Sequence, residues 1–288
     1  MLAKSILVPN VLGKNPDEIE ELFTLLTNSS RYESNILDMS SVTWIHPYGA
    51  ISLLGICRYL SHLTQEPVRL VGLQRNIHAY LRRIDFFACD NGSVTAMDRF
   101  NPTDDFGRNP SSSSVLELIP IRSYQDVYLF ASRARPILSS WLSNNDDIDR
   151  IITLVSEACG NIVAHSGKSG TTMIQKYERA SSTDIELAIS DLGQGIRQSL
   201  LAQHETLSDT DSGFITRAIN GLSGRPDASR GQGLGAIQDI AIKSGGSLHI
   251  RSEKGSVRTT ASERAARDDL SFFPGTHIAI TFCSTSAR

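Results

Sequence analysis

The stretch from residue 88 to residue 114, ACDNGSVTAMDRFNPTDDFGRNPSSSS, has no hydrophobic periodicity and is rich in Gly, Pro, Asn, Asp and Ser. Because these residue types satisfy their own backbone groups and favour turns, the stretch should interrupt helices and strands. A chain of 288 residues is long enough for two cores of ordinary size. We therefore predict two domains, residues 1–90 and 115–288, joined by a linker over residues 91–114.

Each half combines predicted strands with predicted helices. In the first half, SILVP, NILDMS and PVRLVGL are typical of strands, and PDEIEELFTLLTN, GAISLLGICRYLSHL and NIHAYLRRIDFF of helices. This alternation predicts a small α/β layer.

In the second half, the predicted strands are SVLELIPI, TTMIQKYE, IELAISDLG, SLHIRSE and GTHIAITF. One predicted helix begins at Ser123, which has a capping box with Asp126, and another begins at Asn144. The segments GFITRAING and GLGAIQDIAIKSGG are also predicted to be helices. We expect a two-layer α/β, or α+β, fold in which helices back one sheet. The polar segment GSVRTTASERAARDD is predicted to be an exposed hairpin extension.

Charge and composition narrow the functional classes. With 28 basic and 31 acidic residues the net charge is -3, so no overall electrostatic attraction to nucleic acid is expected. A local contact through Arg258, Arg264 and Arg267 is an alternative to a solvated surface.

Four widely separated cysteines are expected to be reduced, buried thiols. No apolar run approaches the roughly 18 residues of a membrane span. We expect a cytoplasmic protein without an export signal or a membrane contact.

Polar residues recur at defined places in the second half. Glu157 and Asn161 lie four residues apart and share one face of a predicted helix, and His165 continues the row. A row of this kind can also simply face water. The strand IELAIS leads directly to Asp191 in DLGQGI, where Gly193 and Gly195 allow a tight turn.

A glycine-rich loop precedes a later helix. SRGQGLGAIQDIAIKSGG directs backbone N–H groups and the positive end of a helix toward a potential phosphate, although a flexible cap would have the same composition. Gly275 and Thr276 then begin the last strand, where a glycine and a hydroxyl have no obvious packing role.

These segments, SEACGNIVAHSG, DLGQGI, RGQGLG and the Gly-Thr start of the last strand, resemble in order and spacing the ATP-binding fold of the gyrase, heat-shock chaperone, histidine kinase and mismatch-repair (GHKL) class. The match covers roughly 130 residues, and within the class it is closest to the short serine kinases that act as bacterial anti-sigma factors.

The resemblance implies a role for each matched residue. Asp191 would accept the adenine amino group, supported by the Thr276 hydroxyl and by the turn at Gly193 and Gly195. Asn161 would bind Mg²⁺ through its amide oxygen, and Glu157 would orient or deprotonate the nucleophile.

The phosphate loop supplies the remaining implied contacts. Its members would close the backbone around the phosphates, and its arginine would neutralise charge on the terminal phosphate or, alternatively, be a solvated loop charge. They are Arg230, Gly231, Gly233, Leu234 and Gly235. Residues 198–230 are predicted to form a polar lid over the nucleotide.

The first half more loosely resembles the sulfate-transporter and anti-sigma-antagonist (STAS) domain, on the basis of NILDMSSVTWIHPYGAISLLGICRYLSHLTQEPVRLVGL. The turn here is His46-Pro47-Tyr48-Gly49, and the acceptor serine of that family is absent. A structural turn and a docking or regulatory role are expected.

Three functions follow from these resemblances. The first is a partner-switching protein that uses Mg-ATP to phosphorylate a serine or threonine of a protein partner. The second is an ATPase switch in which nucleotide drives lid closure and formation of a homodimer. The third is a non-catalytic, nucleotide-binding adaptor.

Overall fold

A computed structural model of the chain describes residues 5–28, 35–97, 114–166, 169–179, 182–222 and 233–285. The chain divides into two compact units, Met1–Ser112 and Ser113–Arg288. Within the described ranges, none of the helices has the length and apolar character needed to cross a bilayer.

The first unit contains a parallel sheet with helices. Its four strands, in spatial order, are β1 (Ile6–Leu7), β3 (Ile36–Asp38), β5 (Val68–Val71) and β6 (Val94–Ala96). A separate parallel pair consists of β2 (Val11–Leu12) and β4 (Trp44–Ile45). The helices are α1 (Pro16–Asn28), α2 (Pro47–Thr64), α3 (Arg75–Arg83) and α4 (Phe86–Cys89). The predicted α/β layer is confirmed.

Two details of the first unit differ from the sequence prediction. The helix predicted over NIHAYLRRIDFF is broken, because Asp85 adopts a left-handed backbone with φ of 60° between α3 and α4. Strand β6 lies inside the predicted linker and pairs in parallel with β5, so the sheet extends beyond residue 90. The turn before it uses Gly92 at φ +83° and a hydrogen bond of 2.9 Å from the Ser93 N–H to the Asp90 carboxylate.

The second unit contains a seven-stranded antiparallel sheet packed with helices. In spatial order its strands are β12 (Arg264–Arg267), β11 (Gly255–Thr260), β10 (Ser247–Glu253), β13 (Phe273–Thr285), β9 (Ser182–Asp191), β8 (Gly170–Glu178) and β7 (Val115–Ile121). The helices are α5 (Tyr124–Trp141), α6 (Asn145–Asn161), α7 (Gly195–Leu201), α8 (Asp211–Ile219) and α9 (Gly233–Lys243). A π-helical segment, Ile162–Ser166, follows α6.

One hydrophobic core joins the helices to a single face of this sheet. On α6, Ile148, Ile151 and Val155 are buried at helical spacing, as the periodicity predicts. They pack in the same cluster as alternate residues of the central strands, such as Ile189 and Ile278. The second unit is therefore a two-layer arrangement of helices on a sheet.

The start of α5 is fixed by the predicted capping box. The Asp126 N–H donates to the Ser123 hydroxyl at 3.3 Å, and the Ser123 N–H donates to the Asp126 carboxylate at 2.9 Å. These two bonds satisfy donors that the first turn of a helix leaves without helical partners.

The segment predicted to be an exposed extension is in part a strand of the sheet. Strand β11 pairs with β10 along its length and buries Val257, whereas β12 is an exposed edge strand. The predicted hairpin is confirmed, because β11 and β12 pair in antiparallel register. The predicted exposure is wrong for β11, whose single large apolar residue and buried serine and threonine resemble a loop in the sequence.

Candidate functional site

Asp191, the last residue of β9, is a buried carboxylate with two backbone donors. Its side chain accepts a hydrogen bond of 2.7 Å from the Gly193 N–H and another from the Thr276 N–H. Burial nevertheless raises the pKa of Asp191 from 3.8 to about 6, because desolvation outweighs the two hydrogen bonds. The predicted partnership between Asp191 and Thr276 thus involves the Thr276 main chain.

Gly275 has a packing role that its sequence position does not suggest. Its φ is +86°, and a methyl group at this position would overlap the main-chain carbonyl of Asp191. Only glycine allows β13 to pass this close to the end of β9. The expectation that Gly275 lacks a packing role is therefore wrong.

Ser252 on β10 is a site residue that the sequence did not suggest. It is 2% exposed and lies opposite Thr276 in the antiparallel register. Its hydroxyl accepts a hydrogen bond of 2.9 Å from the Ile196 N–H and donates one of 3.1 Å to the Gly275 carbonyl. Ser252 therefore connects the glycine turn after Asp191 to the start of β13.

Gly195 allows this connection to form. It opens α7 with φ of +77°, and a methyl group on it would lie 2.8 Å from the Ser252 hydroxyl. The need for glycine at position 195 of the DLGQGI turn thus has two physical causes, the left-handed backbone and the close approach of β10.

Glu157 and the glycine-rich segment meet in the structure. Glu157 lies in the last turns of α6, and Gly233 is the first residue of α9. A methyl group on Gly233 would lie 2.5 Å from the Glu157 carboxyl carbon. Two segments that were predicted to share one site are therefore in direct contact.

The other two described residues of the predicted phosphate loop pack against helix α8 and its core. A methyl group on Gly235 would lie 2.6 Å from the Ile219 carbonyl at the end of α8. Leu234 packs against both the main core and the small cluster of Leu200, Phe214 and Ala218. Arg230 and Gly231 lie outside the described residues. Residues 223–230, the carboxy-terminal end of the predicted lid, also lie outside them.

Asn161, the predicted Mg²⁺ ligand, is the half-buried last residue of α6. The backbone then continues as a π-helical segment, so the regular α-helical row predicted through His165 ends at Asn161. The His165 side chain lies outside the described residues.

Among the described residues no three His, Cys, Asp or Glu side chains form a metal cluster. A single amide oxygen suits Mg²⁺ when phosphate oxygens and waters complete its coordination, and Asn161 fits that limited role.

Asp191 and Thr276 belong to the helix-covered face of the sheet. Ile189 lies directly opposite Ile278, and both residues belong to the core beneath the helices. Side chains alternate between the two faces of a strand, so Asp191, two residues after Ile189, lies on that face. Thr276, two residues before Ile278, lies on it for the same reason. Helices α6 and α9, which carry Glu157 and Gly233, pack in the same core.

The turn at the start of α2 in the first unit is explained by packing. His46 is 9% exposed, and its N–H donates to the Leu12 carbonyl at 2.8 Å. A methyl group on Gly49 would overlap the Leu12 backbone. These contacts agree with the structural turn expected for His46-Pro47-Tyr48-Gly49.

No protein-family model matches the sequence, and a search of curated proteins finds no matching relative. The resemblance to the GHKL and STAS families stays a prediction that depends on the residues quoted above.

Proposed function

We propose that residues 114–285 bind Mg-ATP and that the chain is a cytoplasmic regulatory protein of the partner-switching type. Its proposed activity is transfer of the terminal phosphoryl group to a serine or threonine of a partner protein. The observation that carries the proposal is the Asp191 carboxylate, buried between two backbone donors at the end of a central strand. Buried carboxylates whose pKa is raised by desolvation are concentrated at functional sites.

In this proposal each residue has a defined task. Asp191 accepts a hydrogen bond from the exocyclic amino group of adenine. This hydrogen bond replaces one that water would make to the carboxylate if it were exposed. Asn161 holds Mg²⁺ by its amide oxygen. ATP supplies an activated phosphoryl group, and Glu157, which lies against Gly233, orients the attacking hydroxyl and takes its proton.

The contact between Glu157 and Gly233 supports a phosphate site at the start of α9. This helix has eleven residues, and its first-turn N–H groups together with the helix dipole favour an anion. A general base beside that position is suitably located for reaction at a terminal phosphate. The first unit, with its STAS-like features, is proposed to dock or regulate the partner.

A second candidate is an ATPase switch in which water is the nucleophile. It is favoured by the small cluster of Leu200, Phe214 and Ala218, which packs α7 against α8 beside the main core that α8 joins through Ile215 and Ile219. A short helix such as α7, held on its neighbour by a small apolar cluster, can shift when nucleotide binds. Closure of such a lid is a common means of driving assembly, including formation of a homodimer.

The deciding experiment is calorimetric titration of the full chain with Mg-ATP, in parallel with Asp191→Ala. Binding by the wild type and loss of binding in the variant are expected. Release of inorganic phosphate that stops in Glu157→Ala would favour the ATPase switch, whereas binding without release would favour a protein substrate. A wild-type chain that does not bind Mg-ATP would refute both candidates and leave a nucleotide-independent adaptor.

A further inference from the structure

We propose that Ser252 is a positioning residue that fixes the base pocket and thereby sets the discrimination between adenine and guanine nucleotides. The inference rests on the proposed nucleotide function of Asp191. It arises from the hydrogen bonds of Ser252, which no motif in the sequence indicates.

Ser252 connects the two backbone segments that donate hydrogen bonds to Asp191. On one side, the Asp191 carboxylate is held by the Gly193 N–H, and the same turn continues to Ile196, whose N–H donates to Ser252. On the other side, the carboxylate is held by the Thr276 N–H.

Thr276 directly follows Gly275, whose carbonyl accepts the Ser252 hydroxyl proton. One hydroxyl therefore fixes the chain segments that carry both donors to Asp191.

The backbone of β10 is irregular where this hydroxyl is placed. The register between β10 and β13 shifts at Ser252/Glu253, and Glu253 has a left-handed φ of 55°. β-bulges redirect a side chain at a local cost in regular pairing, and a non-glycine residue at positive φ adds strain. Both features lie beside the Ser252 hydroxyl, which joins the turn to β13.

Base discrimination depends on where the carboxylate is held. Adenine presents an amino donor at its six position, whereas guanine presents a carbonyl acceptor that an ionised carboxylate repels. A carboxylate fixed by two N–H groups cannot turn away from the guanine oxygen. Loss of the Ser252 hydroxyl should loosen both donor segments, so that the carboxylate is no longer held where it favours the adenine amino group.

The test compares Ser252→Ala, Ser252→Thr and Ser256→Ala with the wild-type chain. Ser256 is a buried serine on the neighbouring strand β11, so Ser256→Ala controls for the loss of a buried hydroxyl elsewhere. Dissociation constants for Mg-ATP and Mg-GTP are measured by calorimetry, and the free energy of unfolding is measured by urea titration. Amide exchange of Ile196 is followed by NMR without nucleotide.

Ser252→Ala is expected to weaken ATP binding about tenfold, since a buried donor and acceptor lose their partner, with little change for GTP. Ser252→Thr should restore most of the ATP preference, Ser256→Ala should leave it unchanged, and the Ile196 amide should exchange faster in Ser252→Ala.

An unchanged ATP-to-GTP ratio in Ser252→Ala, whatever its stability, would overturn the positioning role and leave the proposed function intact. A wild-type chain that binds neither nucleotide would overturn both.

Discussion

Glu157 on α6 and Gly233 on α9 are in such close contact that any larger residue at 233 must displace the carboxylate. An acidic side chain beside the amino end of a helix is also favourable for the helix dipole, so the contact stabilises α9 whether or not a nucleotide binds there. The same contact is the part of the proposed reaction site that mutation can test most directly.

Gly233→Ala should remove Glu157 from its position without removing the carboxylate. Phosphate transfer or release should fall to the level of Glu157→Ala, and the double variant should be no worse than either single variant. The matched control is Gly160→Ala within α6, where a methyl group meets only Tyr124 at 3.8 Å. That control should keep activity and gain up to about 1 kcal/mol of stability from helix propensity. Additive losses in the double variant would show that the two residues act separately.

Asp191→Asn should stabilise the nucleotide-free chain at neutral pH. The folded-state pKa of Asp191 is raised to about 6 from 3.8, so its stabilising contribution is complete below about pH 4 and is lost as pH rises through 6. The variant avoids that loss, and at pH 7.5 it should gain up to ~3 kcal/mol, since one pKa unit corresponds to about 1.4 kcal/mol. Urea titrations of both chains between pH 4 and 7.5 measure the difference. Equal stability at pH 7.5 would mean that the carboxylate is well solvated.

His277 should make the chain sensitive to acid. Its ring is fully buried, with Nδ1 2.7 Å from the Ser190 hydroxyl and Nε2 3.1 Å from the Pro274 carbonyl. Burial, and then the charge of Arg251, lower the pKa of His277 from 6.5 to about 3. The contribution of the neutral His277 ring to the free energy of unfolding is therefore fully present above pH 6.5 and is lost as pH falls toward 3.

His277→Gln should remove that part of the acid sensitivity. Between pH 7 and pH 5 the wild type should lose about 2 kcal/mol more than the variant. Unfolding by urea at the two pH values gives this comparison, and parallel pH profiles would contradict a buried neutral imidazole.

Gly275→Ala should be far more damaging than Gly245→Ala. Both glycines have positive φ, +86° and +76°, so alanine is strained at each. Nothing lies within 4 Å of a methyl group on Gly245, whereas one on Gly275 would overlap the Asp191 carbonyl. The strain should cost ~1 kcal/mol at both positions, and the overlap should add about 2 kcal/mol or more at Gly275. Similar unfolding midpoints for the two variants would argue against the close approach of β13 to β9.

Local pattern was sufficient to predict the elements that carry most of the site. Alternating apolar residues in IELAIS and HIAITF indicate strands, so the position of Asp191 at the end of β9 follows from the sequence. The last strand begins at Phe273, before the start predicted at Gly275 and Thr276. The helix with Glu157 follows in the same way from its apolar periodicity. The alternation in the strands and the periodicity in the helix depend only on neighbouring residues. Each arises because one face of the strand or helix is buried.

The parts that the sequence could not supply depend on which strands are neighbours. Ser252 becomes part of the site only because β10 pairs with β13 and a bulge occurs there, and serine in SLHIRSE carries no signal for either event. Strand β6 was missed for a different reason, since three residues after a glycine turn are too short to show a period. Glycine spacing indicated that Gly233 and Gly235 matter, but not that their immediate neighbours are Glu157 and Ile219.

Strand β13 follows every other strand of its sheet in sequence, yet it lies between β9 and β10 near the middle of that sheet. The hydrogen bond between Ser190 and His277 spans 87 residues of chain. During synthesis, β9 and β10 would emerge with a gap between them that is filled only when β13 arrives. The Asp191 site cannot exist before that insertion, so the proposed nucleotide affinity should appear in a single late step of folding.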